Sequence, residues 1–229
     1  MSCQSPGRPS RWPLAAAAVA ALLLAGCSST PPPPDWQLSA HAALDQAVAA
    51  YLRGDSRAAR QDLDRARSEI ARTGRADLLA RAELNGCAAR VASLEFGPCD
   101  GFERLRQDAA SPELAYADYL AGRLPPDQVA RLPPAQRGVA AAADADAAAA
   151  ALAQVADPVS RLVAAGVLLQ TGRANPAVIV QAVDTSSAQG WRRPLLAWLG
   201  VQVQRAEQAG DADAAQRLRR RIALIVGPA

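Results

Sequence analysis

From Ser39 to the C-terminus, apolar positions recur at helical spacing. Leu44, Ala47, Val48, Tyr51 and Leu52 stand at i, i+3, i+4, i+7 and i+8, the stripe of a helix with one buried face. Ala59, Leu63, Ala66 and Ile70 repeat that stripe after Arg53-Gly54-Asp55-Ser56. In that turn Gly54 suits the left-handed residue that closes one helix, and Asp55 or Ser56 caps the next, so the pair predicts a helical hairpin. A second turn, Thr73-Gly74-Arg75, leads into a segment from about Ala76 to Glu95. Leu79, Ala82, Gly86 and Ala89 mark one of its faces; Leu84, Cys87, Ala88 and Val91 mark another. Two apolar faces place this helix centrally, between neighbours, with Cys87 pointing inward.

A fourth helix is expected to carry Phe102 and Leu105. Ser111-Pro112-Glu113, Asp157-Pro158 and Asn175-Pro176 each set a capping residue before a proline at the first helical position. Between the first two of these starts, Gly122 to Pro134 contains Pro125-Pro126 and Pro133-Pro134. Those prolines break any long helix, so this stretch reads as a short helical turn between two kinks and a candidate seam between halves of the domain. Val139 to Leu152 is nearly all Ala, with Asp144 and Asp146. It predicts one readily formed helix with little to bury, either a thin spacer or the most mobile helix of the fold. Four further stripes follow: Val159/Leu162/Val163/Gly166, Val178/Ile179/Ala182/Val183, Leu195/Trp198/Leu199/Gln202 and Ala215/Leu218/Ile222/Ile225. No window alternates with strand period and no Asn-Gly or Asp-Gly turn joins apolar runs, so the expected fold class is all-α, antiparallel helical hairpins packed together.

Upstream the pattern changes. An apolar run from Leu14 to Leu24, preceded by Arg8 and Arg11, has the parts of a secretory signal and is shorter than the about 20 residues of a membrane span. Leu24-Ala25-Gly26-Cys27 resembles the lipobox of bacterial lipoproteins at all four positions. The resemblance implies that residues 1–26 are removed, that Cys27 carries diacylglycerol on its thiol and an acyl chain on its new amino group, and that Ser28 directs the product to the outer membrane of a Gram-negative cell. The plainer alternative is an ordinary signal peptide. Several acyl chains on one residue anchor durably where one does not. Residues 27–38 then form the lipidated cysteine and a linker, in which Pro31 to Pro34 favour a polyproline rod rising about 3.1 Å per residue. Residues 39–229 remain for the helical domain.

Removal of the signal leaves 203 of 229 residues, enough for one domain with a real core. Arg8 and Arg11 leave too, so 23 basic residues face 22 acidic ones. Near neutrality removes the argument for nucleic acid. Cys3 goes with the signal and Cys27 to lipid, which leaves Cys87 and Cys99, twelve positions apart across Phe96-Gly97-Pro98. In an oxidising compartment these predict a structural disulfide, whereas a redox pair would normally be Cys-x-x-Cys.

Tyr51-Leu52-Arg53-Gly54-Asp55-Ser56-Arg57-Ala58-Ala59 and Gln208-Ala209-Gly210-Asp211-Ala212-Asp213-Ala214 are similar to the inter-helix turn of tetratricopeptide repeats, and Thr171-Gly172-Arg173 is a looser copy. The continuous 34-residue period is missing and the proline-rich middle departs from it. This resemblance implies stacked helix pairs with a concave face for peptides or protein partners; an irregular helical bundle is the alternative.

Reactive chemistry is sparse. His41 is the sole histidine, so Ser or Cys catalysis lacks its usual base, and neither Gly-x-Ser-x-Gly nor a zinc-ligand set is present. Asp62/Asp64, Asp144/Asp146 and Asp211/Asp213 are spaced i, i+2 and so point to different helix faces. Glu95 is the acid to watch if the cysteine corner lines a cleft. No phosphate loop, metal or cofactor site is expected. Trp191, Arg192 and Arg193 form a candidate partner-contact patch, with Trp198 and Tyr51 as core or groove aromatics. Arg217, Arg219, Arg220 and Arg221 suit a helix C-terminus or an anionic surface. The function expected is an outer-membrane-anchored, periplasm-facing adaptor that binds an envelope protein. A cell-wall enzyme and a peptidoglycan- or lipid-binding protein are the alternatives.

Overall fold

Helices account for nearly every apolar stripe in the computed structural model, which describes residues 32–227. The expected signal segment, the lipobox-like Leu24-Ala25-Gly26-Cys27 and the linker up to Pro31 lie outside the described residues. The helices are α1 (Asp35–Arg53), α2 (Ser56–Ala71), α3 (Ala76–Ala92), α4 (Asp100–Glu103), α5 (Ser111–Leu120), α6 (Pro134–Ala141), α7 (Ala145–Ala153), α8 (Pro158–Gln170), α9 (Pro176–Ala188), α10 (Arg192–Gln208) and α11 (Ala212–Val226). Two 3₁₀ turns, Arg106–Asp108 and Pro126–Arg131, complete them, and no strand occurs among the described residues. None of the described helices is long and apolar enough to cross a membrane.

The chain is an all-α bundle built around α3 and α8. α3 packs against α1, α2, α5 and α8, and all of Leu162 to Leu168 on α8 is buried. α1 also meets α10, so the first helix closes against the penultimate one. A solenoid would limit each repeat to its chain neighbours; here distant helices share one core.

The Gly turns take a common form. Gly54, Gly172 and Gly210 have φ of 97°, 71° and 72°, and the residue after each donates its N–H five positions back, to Ala50, Leu168 and Ala206. Asp55 and Asp211 then cap α2 and α11 by accepting from Ala58 and Ala214. Asp157 and Asn175 cap α8 and α9 in the same way, as expected. Ser111 does not: α5 starts at Ser111 itself, with Ala110 as its cap and no side-chain bond.

Other boundaries also move. α1 begins at Asp35, four residues before Ser39, because an acid in the first turn favours the helix dipole and Pro32 to Pro34 stop the helix from starting earlier. The Ala-rich stretch expected as one helix is two. Asp144 sits in extended backbone and caps α7 by accepting from Ala147, so its side chain competes with continuation of α6. This corner is also tied from outside: Arg173 donates to Ala142 O, Asn175 to Ala145 O and Gln181 to Ala149 O.

The proline-rich stretch does not part the domain, for Asp35–Ala229 is one compact unit. Leu132 is fully buried, and Tyr119 donates to Gln136, which donates onward to Ser160 O. That buried chain joins α5, α6 and α8.

Cys87 of α3 and Cys99, the residue before α4, form the disulfide, with Cα atoms 5.9 Å apart. Non-reducing peptide mapping should find this pairing. Reduction should lower the unfolding free energy by about 3 kcal/mol in denaturant melts, the loop-closure value for a loop of this size. Two free thiols in the native protein would contradict the staple.

Candidate binding cleft

A cleft of about 380 Å³ opens between α1, α2 and α3, beside the disulfide corner. Its apolar wall is the stripe that defined the first hairpin: Leu44, Val48, Ala59 and Leu63, facing Gly86 of α3. These side chains are only partly needed by the core; Leu44, Val48 and Leu63 remain half-buried.

Glu83 stands at one end of the cleft. It falls on the buried side of α3, where Arg67 of α2 grips it with Nε at 2.6 Å and Nη2 at 2.7 Å. Arg67 also reaches Asp64 at 2.7 Å. The Glu83 hydrogen bond is the main reason the Arg67 guanidinium is held above its ordinary pKa, in spite of partial burial. Gly101 of α4 lies so close that a Cβ there would overlap the Glu83 carboxylate.

Arg193 closes the other end. It arrives from α10 and donates to Tyr51 O at 2.8 Å, Ser56 Oγ at 2.6 Å and Glu95 Oε1 at 3.1 Å. Its guanidinium also lies 4.1 Å from the centre of the Tyr51 ring. Tyr51 Oη is buried and has no hydrogen-bond partner of good geometry among the described residues. Burial, then the adjacent Glu95 carboxylate, push the phenol well above its usual range, so it stays neutral.

Glu95 does line the cleft, as the sequence suggested it could. α3 ends at Ala92, short of the expected Glu95, because Leu94 takes a left-handed backbone with φ 61°. That conformation is rare for a branched residue. It turns the chain toward the disulfide and swings Glu95 out to Arg193.

The expected contact patch is divided among different surroundings. Arg193 enters the cleft, Trp191 is half-buried beside Leu52, Tyr116 and Val163, and Arg192 is exposed. His41 is exposed and pairs with Asp45 at 2.9 Å. Asp62 and Asp64 each bind a nearby arginine, while Asp144 and Asp211 cap helices. No cluster of potential metal ligands occurs among the described residues.

Sequence reasoning missed Arg67 and Glu83. The signal was present: the helix neighbours of Glu83 at three and four positions either way, Leu79, Ala80, Gly86 and Cys87, carry no charge, and a buried carboxylate there requires a cation from another element. Comparison with known protein families, characterised proteins and solved structures finds no match to this chain.

Proposed function

We propose that the protein is an outer-membrane-anchored periplasmic lipoprotein whose helical body binds another envelope protein through the cleft and catalyses no reaction. The lipobox at Cys27 supports the anchor. The cleft carries the binding role: an apolar wall of about three half-exposed side chains is flanked by arginines, the mixture that takes a peptide segment with apolar and acidic groups. Arg60 and Arg90 line it without a carboxylate partner among the described residues, Arg90 donating to Pro98 O, so the charge of each is open to such acids. Both glutamates of the cleft are engaged by arginine and the third acid, Asp100, is exposed at the start of α4, an arrangement that favours binding over general acid–base chemistry.

A photo-crosslinking residue at Leu63 should give a discrete adduct with an envelope protein in intact cells, and one at exposed Gln61 should not. Gly86→Leu, which fills the cleft beside Leu63, should abolish the adduct. Equal adducts from both positions would reject the cleft as the binding surface. In the same cells Cys27→Ala should leave the outer-membrane fraction; its retention there would reject the anchor.

A further inference from the structure

The outward face of α11 is a second surface with its own chemistry. Ala215, Leu218, Ile222 and Ile225 turn toward the core, chiefly against α10. Arg217, Arg220, Arg221 and Leu224 stand at i, i+3, i+4 and i+7, which places the exposed Arg217, Arg220 and Leu224 on the opposite side of the helix, with the part-buried Arg221 at its flank. Arg217 and Arg220 have no acidic partner among the described residues, and Arg221 reaches only Ser187 Oγ at 3.3 Å. Arg219, off this stripe, is the one that pairs with an acid, Glu207.

Leu224 is 84% exposed, more than any other large apolar side chain among the described residues, and Val226 is 54% exposed. Charge is also unevenly distributed. Residues 192–226 hold seven arginines and three acids, a balance of +4, whereas residues 27–191 hold 16 arginines and 19 acids, a balance of −3. Unpaired cations beside an exposed leucine on one helix face match an anionic lipid surface, where phosphates meet the arginines and the leucine enters the headgroup–acyl boundary.

We infer that the outer face of α11, through Arg217, Arg220, Arg221 and Leu224, docks on an anionic phospholipid leaflet. This contact goes beyond the anchor, because the helix holds the body against the membrane through its own side chains. Each arginine near such a surface multiplies binding about fivefold.

The test uses the chain from Ser28 onward, which lacks the acyl chains and keeps the whole core. It should co-sediment with phosphatidylcholine vesicles that contain phosphatidylglycerol and not with phosphatidylcholine alone. Binding should vanish at about 1 M salt, where charges are screened within about 3 Å. The variant with Arg217, Arg220 and Arg221 each changed to Gln should bind about a hundredfold more weakly, and Leu224→Ser about tenfold more weakly. Changing Arg53, Arg57 and Arg72 to Gln, exposed arginines of the N-terminal hairpin, should have no such effect. Circular dichroism checks that each variant is folded, and Leu224→Ser, at a solvent-facing site, carries the test should the triple variant unfold. Equal binding to neutral vesicles, or undiminished binding of the stripe variants, overturns the inference. So does retention on immobilised polyglutamate with no vesicle binding, which assigns the face to an acidic protein. Because Cys27 is absent from this assay, its failure leaves the anchor reading intact.

Discussion

Trp198→Ala should lower the unfolding free energy by about 3–5 kcal/mol, the largest loss expected from any single side chain in this protein. Trp198 is fully buried on α10, and its indole Nε1 donates to Ala92 O at 3.2 Å. That carbonyl belongs to the last turn of α3, where no intrahelical N–H remains to satisfy it. Truncation therefore opens a cavity and leaves a buried acceptor without a donor. Trp198→Phe separates the two effects: it retains most of the apolar volume and should cost about 1–3 kcal/mol, mainly for the orphaned carbonyl. Guanidinium melts followed by circular dichroism give both values. A loss below about 1 kcal/mol for the alanine variant would mean that Trp198 does not close the end of α3 as described.

Gly166→Ala should destabilise by about 1–3 kcal/mol, although alanine is the better helix former by about 1 kcal/mol. A Cβ on Gly166 of α8 would overlap the Val91 carbonyl oxygen and stand 3.0 Å from Val91 Cγ1. The obstacle is backbone, so relief requires α3 and α8 to move apart through the middle of the core. Gly200 of α10 supplies the opposite sign, for a Cβ there meets nothing within 4 Å. Gly200→Ala should stabilise by about 0.5–1 kcal/mol. The same pair of melts decides the question: a stabilising Gly166→Ala would remove the close approach of the two central helices.

Both predictions concern contacts between helices far apart in the chain, and this is where the sequence became hard to read. The helices themselves were legible because each stripe and each Gly turn acts within a few residues. Asp55, Asp157, Asn175 and Asp211 cap as their types suggest, since the bonded N–H lies three positions away. Local competition was harder to judge. Asp144 is one of two acids among alanines, yet its cap bond splits the stretch in two, because the alanines beside it contribute too little burial to oppose it. Leu94 was not legible because left-handed backbone is normally signalled by glycine, whereas here a leucine adopts it with its side chain partly buried against the core.

The cleft was half legible. Its wall is the hairpin stripe, and Cys87, Cys99 and Glu95 were recognisable within a short span of chain. Its two ends were not. Glu83 finds Arg67 16 positions back, and Arg193 reaches Tyr51 across 142 positions. By itself the sequence determined most of the helices, most of their caps and the cysteine pairing, since each rests on periodicity or on residues brought together by a short turn. Only the tertiary structure decided that α3 and α8 form the centre, that Trp198 closes the end of α3, and that Arg193 completes the cleft. Those outcomes depend on helix–helix packing, in which many apolar stripes are chemically interchangeable and partners are selected by shape, as where Gly166 admits the Val91 backbone.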